Sequence, residues 1–221
     1  MRNYQKELDE IIEQQQARGE VPRLLLHACC APCSSYCLEY LSQYFSITLF
    51  YFNPNISPAA EYAHRAAEAK RLVASLPVKH PVTFLEGTYD PQTFFDAVKG
   101  LEQEPEGGKR CDVCFRLRLQ EAAKEAKKGG FDYFTTTLYI SPLKDADKLN
   151  GIGEEVAAEY GVPHLPSNFK KKDGYKRSIE LSKEYNLYRH NYCGCIFSAQ
   201  CAVKGDKPIP DSGAAACDRA G

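Results

Sequence analysis

Apolar and polar positions change rhythm in blocks along the chain, and each block predicts one element. RLLLHACC at 23–30 holds a continuous apolar run, the pattern of a buried strand, and ends in cysteines. SSYCLEYLSQY at 34–44 has helical spacing, with Ser34 or Ser35 placed to cap it. SITLFYFNP at 46–54 is β-branched and aromatic, which predicts a second strand stopped by Asn-Pro. The stretch 57–76 is a helix with Pro58 in its first turn, 82–89 a third strand and 91–101 a short helix. A polar, Gly-rich loop at 102–110 leads into a helix at 111–130 that carries Cys111 and Cys114 at its start and closes at Gly129-Gly130. Then follow a fourth strand at 131–142, a helix at 145–161, a short fifth strand at 162–169 and a last helix at 175–186.

Strands that alternate with helices predict an α/β protein: a three-layer, Rossmann-like fold whose mainly parallel sheet has about five strands. Residues 1–20 read as an N-terminal helical extension, 21–203 as the domain, and 204–221, rich in Gly, Ala, Pro and Asp, as a disordered tail. In such sheets ligands collect at the carboxyl ends of the strands. Cys29 and Cys30 end strand one, Asn53 and Asn55 strand two, Ser141 and Pro142 strand four, Asn168 and Phe169 strand five. These segments are expected to converge.

The 221 residues suit one domain with an ordinary core, at 43% hydrophobic and 26% charged. A net charge of −1 demands no polyanionic partner, so any nucleic-acid contact needs a local basic patch. No run approaches the roughly 20 apolar residues of a membrane span. The polar N-terminus lacks the apolar stretch of a signal peptide, which predicts a cytoplasmic protein. Ten cysteines then stand out, because cytosolic cysteines at short spacings are metal ligands or redox centres more often than staples.

Three clusters hold them. His27-Ala28-Cys29-Cys30-Ala31-Pro32-Cys33 places three thiols in a strand-to-helix turn, with Cys37 one helical turn on. Cys111 and Cys114 form a CxxC at a helix start, where the helix dipole, Lys109 and Arg110 favour thiolate. Cys193-Gly194-Cys195 is the third. A four-iron cluster takes four thiolates from separated segments, and Cys29, Cys30, Cys111 and Cys114 would supply them. A structural zinc site is the alternative, although neighbouring side chains in a strand point apart and suit one tetrahedral ion poorly. A Cys-x-Cys disulfide closes a small, strained ring, and strain marks labile, redox-active bonds. Two further ligands, or two unreactive thiols, are the other readings of that pair. Cys201 and Cys217 read as incidental, and Cys37 as a packing residue.

HACCAPC, YFNPNISPAAEYAHR, KRCDVCFRLRL, FTTTLYISPLK and LSKEYNLYRHNYCGCIFS, in order over residues 20–200, resemble the QueH-type epoxyqueuosine reductases. The resemblance implies reduction of epoxyqueuosine at the tRNA wobble position to queuosine, with release of water, by a [4Fe-4S] cluster without cobalamin. It implies cluster ligands at Cys29, Cys30, Cys111 and Cys114 and a redox-active disulfide between Cys193 and Cys195. Some members carry one additional mononuclear iron. At least one has Asp at the last position of the CCAP-x block, where this chain has Cys33, the candidate ligand for that iron. His190 is a second departure, since Gln is common after Tyr-Arg. The partners implied are a tRNA and an electron donor that no motif identifies.

Removing the oxygen needs a proton donor, and Asp112, His27 and Tyr192 are candidates; Asp112 equally suits a helix cap and His27 a packed position. FKKKDGYKR offers Lys170, Lys171, Lys172, Tyr175, Lys176 and Arg177 for phosphate contacts and, with Phe169, base stacking. Lys109, Arg110, Arg116 and Arg118 would add to it. The plain alternative is a solvated helix start. The modified base must leave its stack to reach a buried centre. Two other functions compete: a zinc-stabilised nucleic-acid-binding module without redox activity, and an ATP-dependent tRNA-thiolating enzyme. HACCAPCSS lacks the glycines a phosphate loop needs, which counts against the latter.

Overall fold

The computed structural model describes residues 2–204, with side chains to residue 200. The elements are α1 (Tyr4–Ala17), β1 (Arg23–His27), α2 (Ala31–Leu41), β2 (Ser46–Tyr51), α3 (Ala59–Ser75), β3 (Val82–Glu86), α4 (Pro91–Ala97), α5 (Lys109–Gly129), β4 (Tyr133–Thr136), a 3-10 turn (Thr137–Ile140), α6 (Ala146–Tyr160), α7 (Gly174–Glu184) and α8 (Ile196–Lys204). Beyond residue 204, the tail expected at 204–221 and with it Cys217 lie outside the described residues. No described helix is long and apolar enough to cross a membrane.

All four strands run parallel in the order β3-β2-β1-β4. Helices cover both faces, so central β1 is apolar on both: Leu24 and Leu26 enter one core with Leu8, Leu38 and Leu72, and Leu25 enters the other with Leu119, Ala122 and Val156. Burial of this kind stabilises by roughly 25 cal/mol per Å² of apolar surface. Helix α1 packs Leu8 and Ile12 into the first core and reaches the sheet edge through Gln15, which donates to the Tyr133 hydroxyl at 3.2 Å.

The expected fifth strand does not form. Residues 162–169 touch β4 through one parallel bridge, Phe134 to His164, flanked by Phe134 N–H to Pro163 O at 3.0 Å and Leu165 N–H to Phe134 O at 2.9 Å. Pro163 has no N–H to extend the ladder at one end, and at the other the Ser167 N–H goes to Asn150 Oδ1 at 3.1 Å, so the ladder stops after one step. The fourth strand is also shorter than expected. Thr136 accepts the Leu138 N–H on its side chain and turns the chain into the 3-10 turn. Helix α2 starts at Ala31, earlier than expected, with Cys30 at the N-cap and Pro32 in the first turn. Ser34 and Ser35 bond back to the Cys30 and Pro32 carbonyls instead of capping. The segment after Cys195, for which no helix is expected from the sequence, forms α8.

Candidate metal and redox site

The turn after β1 is held at the carboxyl edge of the sheet by its neighbours. His27, fully buried, lies 2.8 Å from Thr136 Oγ1 through Nδ1 and 3.0 Å from the Phe52 carbonyl through Nε2. The Phe52 carbonyl can only accept, so the neutral ring carries its proton on Nε2, and Nδ1 accepts from the Thr136 hydroxyl. Burial first, and then the Arg118 charge, push the His27 pKa down to about 4. Both nitrogens are engaged in holding β1 to its neighbours, and His27 is not among the residues that line the cavity of Cys29, Cys30 and Cys33. The Ala28 carbonyl accepts from Asn53 Nδ2 at 2.8 Å, and Cys29 N–H donates to Thr137 Oγ1 at 3.2 Å.

This support aims three sulfurs at one point. Cys29, Cys30 and Cys33 have their Sγ atoms within 4.8 Å of one another, and Cys29 and Cys30 are 3.8 Å apart. Two thiolates on one tetrahedral metal stand about 3.8 Å apart, given bonds of about 2.3 Å. The objection from alternating strand geometry therefore fails, because Cys29 lies past the end of β1 and Cys30 caps α2. Hydrogen bonding by the Cys30 and Cys33 thiols pulls the Cys29 pKa well below its usual value, and the same sharing pushes Cys30 and Cys33 up. Cys37 faces away, its thiol donating to the Cys33 carbonyl at 3.3 Å, and is buried packing.

The three cysteines line a cavity with Arg65, Glu106, Arg118, Lys144, His190 and Cys193 among others. Cys193 and Cys195 are free thiols with sulfurs 3.4 Å apart. The Cys195 thiol, and after it Lys144, hold Cys193 well below the ordinary thiol range. Gly194 has φ +108, and a Cβ there would come within 2.9 Å of Ile56 and 3.1 Å of Arg65 Nη1, so only glycine fits this turn. Its carbonyl accepts from Ser57 N–H at 2.9 Å, Arg65 Nη1 reaches the Cys193 carbonyl at 3.4 Å, and Cys193 N–H donates to Ser198 Oγ at 3.2 Å.

Cys111 and Cys114 stand outside the 4.8 Å group. Cys114 packs in one small cluster with Phe94, Val98 and Cys195, with Cys193 against it. Thiolate is not favoured at either. Burial raises both, Cys114 to about 11, against the expectation from the helix dipole. Arg110 gives its guanidinium to the carbonyls of Leu101, Glu102 and Glu104 and lies over the Phe197 ring, so it does not serve these thiols. Arg118 does. Burial pulls its pKa down, but Cys114, Cys193, Cys29 and Cys111 more than offset that. Arg118 lines the cavity with Cys29, Cys33 and Cys193 and donates to the Cys114 carbonyl, so one buried cation stands beside all three cysteine clusters.

Asp112 is not in this cavity. It pairs with Lys148 at 3.1 Å and lines a separate hollow with Val113 and Arg116. The carboxyl on the cysteine cavity is Glu106, raised in pKa by burial and then by Cys193, and bonded by Ser198 Oγ at 3.1 Å. Its position in the Gly-rich loop before the CxxC was its only sequence signal. Tyr192 lines the cavity under the Arg65 guanidinium. Ser141 and Pro142 also reach it, whereas Phe169 is buried against Tyr139 and offers no face for a base.

Within the basic run, Tyr175 lines the cavity, Lys170 donates to the Lys144 carbonyl at 2.7 Å, Lys172 pairs with Asp9 at 2.8 Å and Arg177 with Glu39 at 2.6 Å. Arg116 pairs with Glu155. Lys171 and Lys176 are exposed, with no ion pair among the described residues.

A parallel sheet whose carboxyl edge carries a thiol-lined, cation-walled cavity defines an α/β protein with a candidate metal and redox centre. The chain belongs to the family described as epoxyqueuosine reductase QueH, whose model matches residues 24–201. It is similar to the epoxyqueuosine reductase QueH of Staphylococcus epidermidis, at 46% identity over 89% of this chain and 84% of that protein. Its similarity to the protein of that name from Streptococcus pyogenes is 44% over 90% and 78% of the two chains, and to that of Thermotoga maritima 36% over 79% and 89%.

Proposed function

We propose that this chain is a cytoplasmic epoxyqueuosine reductase that acts on tRNA, forming queuosine at the wobble position with a [4Fe-4S] cluster and without cobalamin. The observation that carries the reading is the meeting of Cys29, Cys30, Cys33 and Cys193 on one cavity, with Arg118 on its wall and bonded to the Cys114 carbonyl. A donor set made of thiols suits the soft-ligand centres, iron–sulfur or zinc. Cys29, Cys30, Cys111 and Cys114 would hold the cluster. The spacing of the first turn suits a single ion as well, which favours Cys33 as ligand of one additional mononuclear iron. The bound cluster supplies one-electron steps, and an iron with an open position supplies a Lewis acid.

The remaining chemistry belongs to the chain. Converting the epoxide to an alkene breaks both C–O bonds and takes two electrons and two protons, and the oxygen leaves as water. Oxidation of the Cys193–Cys195 dithiol to a disulfide releases two electrons and two protons. An external donor must then reduce the pair again. Tyr175 at the cavity wall, and the exposed Lys171 and Lys176, are the members of the basic run left free to meet RNA.

Anaerobic reconstitution with iron and sulfide, followed by assay of queuosine in tRNA from a strain lacking the activity, tests this. Cys29→Ala, Cys111→Ala and Cys114→Ala should lose both the brown colour and turnover. Cys193→Ala should keep the colour and lose turnover. A colourless, zinc-loaded protein without turnover is the result that defeats the proposal, since zinc is d¹⁰.

A further inference from the structure

Ten buried side-chain nitrogen and oxygen atoms lack a hydrogen-bond partner among the described residues. Three of them, Arg65 Nη2 and both ring nitrogens of His190, belong to residues that line the cysteine cavity. Buried polar atoms are nearly always paired; the Tyr192 backbone approaches the His190 ring, which leaves Arg65 Nη2 and one ring nitrogen on this cavity short of a partner. The two residues are neighbours through Tyr192. The Arg65 guanidinium lies 4.9 Å from its ring centroid, and the His190 ring centroid is 6.2 Å from it. Arg65 is 1% exposed, and its other nitrogens are engaged by Glu61 at 2.6 Å and the Cys193 carbonyl.

Charge decides what kind of partner fits. Arg65 is already matched by Glu61. Burial, then the Arg65 charge, push the His190 pKa down to about 4, so its ring is neutral at pH 7. A neutral imidazole gives one donor and one acceptor, and Arg65 Nη2 adds donors. The wall is therefore neutral overall and complementary to hydroxyls. An anion is better served by Arg118 and Lys144, which have no carboxylate partner among the described residues.

We propose that Arg65 and His190 form a hydroxyl-binding subsite that takes the neighbouring hydroxyls on the cyclopentane ring of the substrate. The proposal rests on the reductase reading, because that substrate carries a diol beside its epoxide.

The test titrates metal-free, full-length protein with queuine, the free base that carries the diol, and with the same 7-deazaguanine bearing only an aminomethyl group. Binding is read by calorimetry and by the ¹⁵N shifts of the His190 ring. Queuine should move those shifts. His190→Leu and Arg65→Lys should each weaken queuine by about tenfold, the worth of one ordinary hydrogen bond. His190→Gln, which keeps a donor and an acceptor, should restore most of the affinity, and the base without the ring should bind all four proteins alike. Absence of queuine binding by the unaltered protein, or equal effects on both bases, overturns the subsite. Queuosine formation by the reconstituted, unaltered enzyme judges the reductase reading separately.

Discussion

Arg118 Nε donates to the carbonyl oxygen of Cys114, 3.2 Å away and one turn earlier on α5. That bond anchors a guanidinium that is 4% exposed and has no carboxylate partner among the described residues. The sulfurs of Cys29 and Cys193, whose pKa values are lowered, are its counter-charges. Removing this cation by Arg118→Met should raise the thiol titration of the metal-free protein by roughly one pH unit, read as thiolate absorbance in the ultraviolet. Arg118→Lys should keep most of the effect. An unchanged titration in the Met variant would remove Arg118 from the electrostatics of the site.

His164 should make the fold acid-sensitive. Its Nε2 lies 2.9 Å from the Tyr139 hydroxyl, and α6 closes on the ring so tightly that a Cβ on Gly153 would come within 2.5 Å of Nε2. Burial pushes its pKa down to about 3 from an ordinary 6.5. Below pH 6.5 the unfolded chain binds this proton and the native state does not, so stability falls as pH drops towards 3. The expected loss between pH 7.5 and pH 5 is about 2 kcal/mol from this residue. Urea unfolding at both pH values should show a smaller difference for His164→Gln; an identical difference contradicts the assignment.

The N-terminal helix is expected to be part of the stability of the domain. Leu8 is fully buried in the core that contains Leu24 and Leu26. Leu8→Ala should cost about 3 kcal/mol in denaturant unfolding. An effect below roughly 1 kcal/mol would mean that the helix docks loosely.

The basic run should divide by salt dependence. Lys171→Ala and Lys176→Ala should each lower the slope of log affinity for tRNA against log salt by about one. Lys172→Ala and Arg177→Ala should change it little, because Asp9 and Glu39 already answer those charges. Equal slopes for all four variants would point away from this face as the RNA contact.

Some of this was legible in the residues. Continuous apolar runs bounded by turn signals located β1 to β4, and helical spacing located α2 to α7, because those patterns follow from local geometry. Phe169 and the 162–169 run misled. Their apolar composition suits a strand, but a strand also needs N–H groups facing a neighbour; Pro163 has none, and the Ser167 N–H turns to the Asn150 side chain.

The order of elements, the parallel sheet and the inventory of thiols followed from the chain alone, since periodicity, turn chemistry and covalent spacing are local. Which thiols face one cavity, why Cys111 and Cys114 resist ionisation, that Asp112 turns to Lys148 and that Glu106, Lys144 and Arg118 join the cysteines came only with the folded molecule. Those outcomes depend on desolvation and on distances between groups far apart in sequence. Neither is set until the sheet brings its carboxyl ends together.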